Sequence, residues 1–125
     1  ITAAKLGAGA VTAVDYDSTA LRVARENIAQ NGLADAITLK ESDILRNVTG
    51  RADVVTANII ADIIIRLFAD LDAHLAPGGA LLASGIIASR AEDVRQAGKA
   101  YGFVATEEWE AKDWAAMIFR RANEA

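Results

Sequence analysis

The chain has 125 residues, of which 53% are hydrophobic and 24% charged, and its net charge is −4 at neutral pH. This composition excludes a disordered chain, and the length predicts one domain over residues 1–125. The lack of cysteine excludes disulfides and thiolate metal sites, and it fits a cytoplasmic protein. The negative charge argues against a general nucleic-acid surface and a polybasic membrane anchor, and no uncharged apolar run is long enough for a membrane span.

The apolar pattern predicts an α/β fold. The predicted strands are Val11–Asp15, Ala36–Leu39, Ala52–Asn58, Ala80–Ser84, Phe103–Glu108 and Asp113–Phe119. The predicted helices are Ile1–Leu6, a helix from Asp17 or Ser18 to Asn31, Ile59–Leu75, and a helix from a Ser89 cap to Ala100, with a turn at Ala76–Gly79. Regular alternation predicts parallel strands with right-handed crossovers. The link before the last strand is too short for a crossover, so that strand should run antiparallel.

Asp15 is the first candidate site residue. An acid at the carboxyl end of such a strand accepts hydrogen bonds from ribose hydroxyls of a nucleotide-like cofactor, because an ionised carboxylate is only an acceptor. The glycine-rich turn that serves such cofactors normally lies about 20 residues upstream, but only fourteen residues precede Asp15. We therefore expect the chain to continue a longer protein. The alternative is a short alanine-rich helix that opens a complete domain.

Several motifs, taken together in order and spacing, are similar to those of class I S-adenosylmethionine-dependent methyltransferases. They are Val-Asp-x-Asp at 14–17, Asn31-Gly32, Ser42-Asp43, Ala57-Asn58-Ile59, Leu75-Ala76-Pro77-Gly78-Gly79 and Ser84-Gly85-Ile86. Within that class the chain most resembles the ribosomal-protein methyltransferases that modify a large-subunit stalk-base protein. The resemblance implies a Rossmann-like class I methyltransferase sheet, mostly parallel with an antiparallel last strand. It also implies that the first strand and glycine-rich loop of the family are missing from the N-terminal side.

The same resemblance assigns cofactor-binding roles to four residues near two strand ends. It implies that Asp15 holds the ribose and that Tyr16 lies against the adenine ring, where an aromatic face can stack. It implies that Asp43 accepts from the exocyclic amine and that Ile44 packs on the ring. The alternatives are a helix cap or turn acid at Asp15, a half-exposed turn tyrosine at Tyr16, and a local cap at Ser42 or Asp43.

Asn58 ends the predicted strand Ala52–Asn58. It is the candidate catalytic residue and is also a candidate cofactor-binding residue. An amide oxygen with a neighbouring backbone carbonyl can hold the hydrogens of a neutral amine and direct its lone pair. Related amide-nitrogen methyltransferases carry Asn-Pro-Pro-aromatic at this point. This chain has Asn58-Ile59-Ile60-Ala61, which argues against a glutamine-amide substrate. The alternative is that Asn58 caps the following helix.

We therefore expect an S-adenosylmethionine-dependent N-methyltransferase that acts on a lysine or N-terminal amine of a ribosomal protein. We expect the 125 residues alone to bind cofactor poorly, because a central strand would be absent. Alternatives are a small-molecule or RNA methyltransferase of the same fold, a non-catalytic fragment, and an NAD(P)-dependent oxidoreductase. No metal site is expected, because His74 is the only histidine and cysteine is absent.

Overall fold

The computed structural model describes all 125 residues, which form two compact units, residues 1–48 and 49–125. The helices are α1 (Thr2–Lys5), α2 (Ser18–Gln30), α3 (Ala61–His74) and α4 (Ala91–Ala100). The strands are β1 (Val11–Asp15), β2 (Ile37–Glu41), β3 (Ala52–Asn58), β4 (Leu75–Ile87), β5 (Phe103–Ala111) and β6 (Trp114–Arg121). No helix is both long enough and apolar enough to cross a membrane.

The first unit is a β-α-β segment built on two parallel strands. β1 and β2 pair in register from Val11 opposite Ile37 to Asp15 opposite Glu41. The α2 crossover begins at Asp17, whose carboxylate accepts from the Thr19 backbone N–H at 2.9 Å. This bond satisfies one of the free N–H groups of the first helical turn. The buried apolar side chains of the unit are Leu21, Ile28, Ile37 and Leu45.

The second unit has a four-stranded sheet in the order β3-β4-β6-β5. β3 and β4 run parallel, whereas β6 is inserted antiparallel between β4 and β5. The predicted antiparallel direction of the last strand is therefore confirmed. β3 is an edge strand of this sheet, and Val54 in its middle is 60% exposed.

An aromatic cluster forms the centre of the second unit's core. The Phe68 ring of α3 meets Phe119 of β6 edge-on, with centroids 5.0 Å apart, and lies 6.0 Å from the ring of Phe103. Such tilted contacts suit the quadrupoles of aromatic rings. Gly98 of α4 faces this cluster, and a Cβ there would lie 2.9 Å from Phe119 Cε1 and 3.0 Å from Phe68 Cζ. Glycine therefore lets α4 approach the rings.

Arg121 ties the end of β6 to the end of α3. Its guanidinium donates to the carbonyl oxygens of Asp72 at 3.1 Å, Leu75 at 2.8 Å and Ala76 at 3.1 Å, and to Asp72 Oδ1 at 2.7 Å. Carbonyls at a helix end have no partner within the helix, and one planar side chain here serves that of Asp72 in the last turn and those of Leu75 and Ala76 just beyond it. The Asp72 carboxylate raises the pKa of Arg121, which stays charged.

Most predicted elements differ from the structure by one to three residues at an end, and three differences have a clear physical reason. α3 begins at Ala61 rather than Ile59. β4 begins at Leu75, because Leu75 takes an extended conformation and pairs with Ala52, so the predicted turn at 76–79 lies within an irregular strand. The predicted Ser89 cap is wrong. Ser89 lies in a 3-10 turn over Ala88–Arg90, and α4 has no side-chain cap.

Candidate functional site

Asp15 stands at the carboxyl end of β1, beside the end of β2. Its carbonyl oxygen accepts from the Ser42 backbone N–H at 3.0 Å, which continues the parallel pairing one step past β2. The residues after this contact are Asp43 and Ile44. The first unit therefore brings together, at one edge of its sheet, the four cofactor-binding residues predicted from its part of the sequence.

The Asp15 side chain is exposed and only partly engaged. Its Oδ1 accepts from the Asp17 backbone N–H at 3.0 Å, which shapes the turn into α2. An ionised carboxylate offers roughly four lone-pair sites, so one local bond leaves capacity for two neighbouring hydroxyls. Tyr16 is next to it and is 76% exposed, so its ring is accessible to a planar ligand.

A compact loop follows β2 and contains the other two predicted residues. The Ser42 side chain is buried, donates from Oγ to the Ile44 carbonyl at 2.9 Å, and accepts from the Asn47 N–H at 3.1 Å. These bonds hold Ile44 at φ 57°, in the left-handed region that a β-branched residue rarely adopts. Strained backbone of this kind is concentrated at binding and catalytic sites.

Asp43 is exposed and forms a long ion pair with Arg46, with Oδ2 and Nη1 3.6 Å apart. An exposed pair of this kind contributes little to stability, because solvent screens it and both side chains lose freedom. Asp43 and Arg46 are also linked through the backbone, since the Arg46 N–H donates to the Asp43 carbonyl at 3.2 Å. The loop therefore presents a carboxylate whose position is set by a local turn.

Asn58 is the last residue of β3 in the second unit, opposite Ser84 of β4. The residue is exposed. The alternative prediction that it caps the following helix is wrong, because Ile60 is the N-cap of α3. Its amide oxygen instead lies over Gly85, where a Cβ would be only 2.3 Å from Oδ1. The sequence places Ser84 and Gly85 at a strand end near the same crevice as Asn58, but only the structure shows that the Asn58 amide lies against Gly85.

The structure brings no three His, Cys, Asp or Glu side chains into an arrangement that could hold a metal ion. His74 is the last residue of α3, and its Nδ1 lies 3.4 Å from the Gly50 carbonyl oxygen. The polar side chains at the strand ends described above are carboxylates and an amide, with an exposed aromatic ring beside Asp15.

Comparison with known proteins gives the family. The sequence profile of the family described as "Ribosomal protein L11 methyltransferase (PrmA)" matches residues 1–122. The chain belongs to this L11 methyltransferase family. It is 43% identical over 121 residues to the ribosomal protein L11 methyltransferase of Caldanaerobacter subterraneus, covering 97% of this chain and 38% of that protein. It is 45% identical over 120 residues to that of Pelotomaculum thermopropionicum, covering 96% of this chain and 39% of that protein.

A solved L11 methylase has the same fold. The crystal structure of ribosomal protein L11 methylase from Lactobacillus delbrueckii superimposes with a TM-score of 0.92 at 34% identity, covering 95% of this chain and 61% of that one. The resemblance to class I methyltransferases and the predicted Rossmann-like α/β fold are thus confirmed. The chain spans about two fifths of the length of its L11 methyltransferase relatives.

Proposed function

We propose that the protein is an S-adenosylmethionine-dependent N-methyltransferase whose substrate is ribosomal protein L11. The observation that carries this proposal is the family match over residues 1–122. Relatives that are 43% and 45% identical bear the name ribosomal protein L11 methyltransferase. The accepting atom would be a lysine or N-terminal amine, since Asn58-Ile59-Ile60-Ala61 departs from the pattern expected for a glutamine-amide substrate.

The residues of the first unit fit S-adenosylmethionine. When bound, this cofactor supplies a methyl carbon on a positively charged sulfur. Asp15 would accept hydrogen bonds from the two ribose hydroxyls with the lone pairs that its bond to Asp17 leaves unused. Tyr16 would stack on the adenine, and Ile44 would pack against it from the strained loop. Asp43 would accept from the exocyclic amine.

Asn58 would orient the incoming amine. A neutral lysine or N-terminal amine has two hydrogens and one lone pair, and in-line transfer needs that lone pair aimed at the methyl carbon. The Asn58 amide oxygen and the backbone carbonyls of Ala57 or Ile59 can accept those hydrogens and so fix the direction of the lone pair. No strong general base is required if the amine arrives deprotonated. As a member of the cofactor-binding set, Asn58 would also contact the cofactor.

The partner in this proposal is a ribosomal protein, and no direct contact with nucleic acid or membrane is needed. A net charge of −4 suits a basic protein substrate better than RNA, because ribosomal proteins that bind RNA carry excess positive charge. Location in the cytoplasm stays a prediction.

The test uses the protein expressed from its complete gene. It would be incubated with S-adenosylmethionine carrying a labelled methyl group, with purified L11 or with ribosomal RNA as acceptor. We expect label in L11, at an amine located by mass spectrometry, and none in RNA. Calorimetric titration would compare S-adenosylmethionine with a nicotinamide cofactor. Label in RNA alone, or saturable binding of only the nicotinamide, would refute the proposal.

A further inference from the structure

A break in the β4 ladder lies directly beside Asn58. Ala83 pairs with Met117 and Ile86 with Ala115, so Ser84 and Gly85 together oppose one residue of β6. Gly85 has φ 72°, in the left-handed region. A glycine in this conformation is typical of a bulge that inserts one extra residue, and such bulges often adjoin active sites.

The extra residue leaves a space that the Asn58 amide fills. A Cβ built on Gly85 would lie 2.3 Å from Asn58 Oδ1, 3.5 Å from Asn58 Cγ and 3.6 Å from the Ile59 backbone nitrogen. Only the first distance is a clash, and its atom is the end of a side chain that can rotate. A side chain at position 85 would therefore displace the amide oxygen and leave the backbone of β3 in place.

We propose that Gly85 is a positioning residue for Asn58: its missing side chain gives the amide oxygen the place from which it accepts a hydrogen of the incoming amine. This inference rests on the proposed methyl transfer and on the role of Asn58 in it. It gives Gly85 of β4 a role in positioning a side chain, which is separate from strand pairing. The Asn χ2 torsion is broad, so the amide can turn away from an added Cβ, and its oxygen then points in a different direction.

The simpler explanation is that glycine is present only for its backbone angle. Alanine at a positive φ is strained wherever it occurs, so a single substitution cannot separate the two explanations. Gly78 provides the matched control. It lies in the same strand at φ 74°, against 72° at Gly85, and a Cβ there would meet nothing within 4 Å.

The experiment compares Gly85→Ala with Gly78→Ala in the protein expressed from its complete gene. Methyl transfer to L11 gives kcat and KM, and calorimetry gives the cofactor Kd. A displacement of about 1 Å at a reacting group can lower a rate roughly 100-fold. We expect Gly85→Ala to lower kcat roughly 10- to 100-fold with the cofactor Kd within about threefold of wild type, and Gly78→Ala to leave kcat within about threefold.

The same two substitutions are then made in an Asn58→Ala background. If Gly85 acts through Asn58, Gly85→Ala should lower kcat by no more than about twofold there, because a shared mechanism makes the effects non-additive. The inference is overturned if Gly85→Ala lowers kcat by the same factor with and without Asn58, if it changes only KM, or if the two alanine variants have equal kcat. A loss of folding in Gly85→Ala that Asn58→Ala does not relieve also overturns it.

A second readout does not depend on activity. The side-chain amide resonances of Asn58, assigned by their loss in Asn58→Ala, should shift in Gly85→Ala and stay in place in Gly78→Ala. If wild type transfers no methyl group to L11, the proposed function fails while these resonances still decide whether Gly85 sets the position of the amide. Unchanged resonances in Gly85→Ala would overturn the inference even in an active enzyme.

Discussion

Replacement of Asp15 by asparagine should weaken cofactor binding without disturbing the turn in which the residue lies. Asp15 Oδ1 accepts from the Asp17 N–H at 3.0 Å, and the asparagine amide oxygen can keep that bond. The second oxygen becomes an NH2 group, which cannot accept from a hydroxyl. The substitution therefore removes the charge and the second acceptor while the local structure remains.

The size of the effect follows from what is lost. A hydrogen bond to a charged group contributes about 1.5–3 kcal/mol, and about 1.4 kcal/mol corresponds to a tenfold change in affinity. Loss of one such bond to the ribose should therefore raise the cofactor Kd roughly 10- to 150-fold. Asp15→Ala should lose at least as much, since it also removes the bond to Asp17.

Isothermal titration calorimetry on the protein expressed from its complete gene is the assay. Asp17→Asn is the matched control, because it removes the same charge two residues away while its side chain can still accept from Thr19 as the helix cap. Titration should be repeated with S-adenosylhomocysteine, which has the same ribose but no positive sulfur. We expect equal losses with both ligands in Asp15→Asn and a Kd within about twofold of wild type in Asp17→Asn.

Two results would refute the ribose role of Asp15. One is an unchanged Kd in Asp15→Asn, or a change equal to that of Asp17→Asn. The other is a loss confined to S-adenosylmethionine, which would mean that the carboxylate acts on the charge of the sulfur and not on the sugar.

Three further predictions concern the second unit. Asn58→Ala should lower kcat roughly 10- to 100-fold with a smaller change in cofactor Kd; equal losses in steady-state kinetics and calorimetry would contradict its role in orienting the amine. Arg121→Lys should lower the free energy of unfolding by about 1–3 kcal/mol, because one ammonium cannot reach three carbonyls and a carboxylate together; urea denaturation and faster hydrogen exchange at the end of α3 would show it. Gly98→Ala should destabilise the protein, since overpacking costs about 1–3 kcal/mol and the gain in helix propensity is about 1 kcal/mol; a raised urea midpoint would contradict this.

Local signals in the sequence were enough to place most elements. The bounds predicted for the strands at Val11–Asp15 and Ala52–Asn58 agree with the structure, because in each a short run of strand-forming residues ends at a polar one. Asp17 caps α2 as its position before an amphipathic run indicates. The start of β4 at Leu75 was missed because Pro77 and two glycines resemble a turn, and only pairing with β3 makes the segment a strand.

The site was less predictable than the fold for a similar reason. Strand ends identify Asp15 and Asn58 as accessible polar residues, since each ends a parallel strand of its own unit. Two features of the site could not be predicted: the backbone conformation of Ile44 and the contact between Asn58 and Gly85. Nothing in the sequence indicates a positive φ at a β-branched residue such as Ile44, which the Ser42 hydroxyl holds in place. The approach of Asn58 to Gly85 requires the register of two strands.

The outer edge of β3 has a practical consequence for handling. Unpaired N–H and C=O groups along an exposed strand can recruit the same strand from another molecule. Val54 is 60% exposed there, and only Asp53 places a charge within the strand. These 125 residues by themselves should therefore self-associate as the protein concentration rises. Val54→Lys should keep them monomeric, because a charge on an edge strand opposes pairing between molecules.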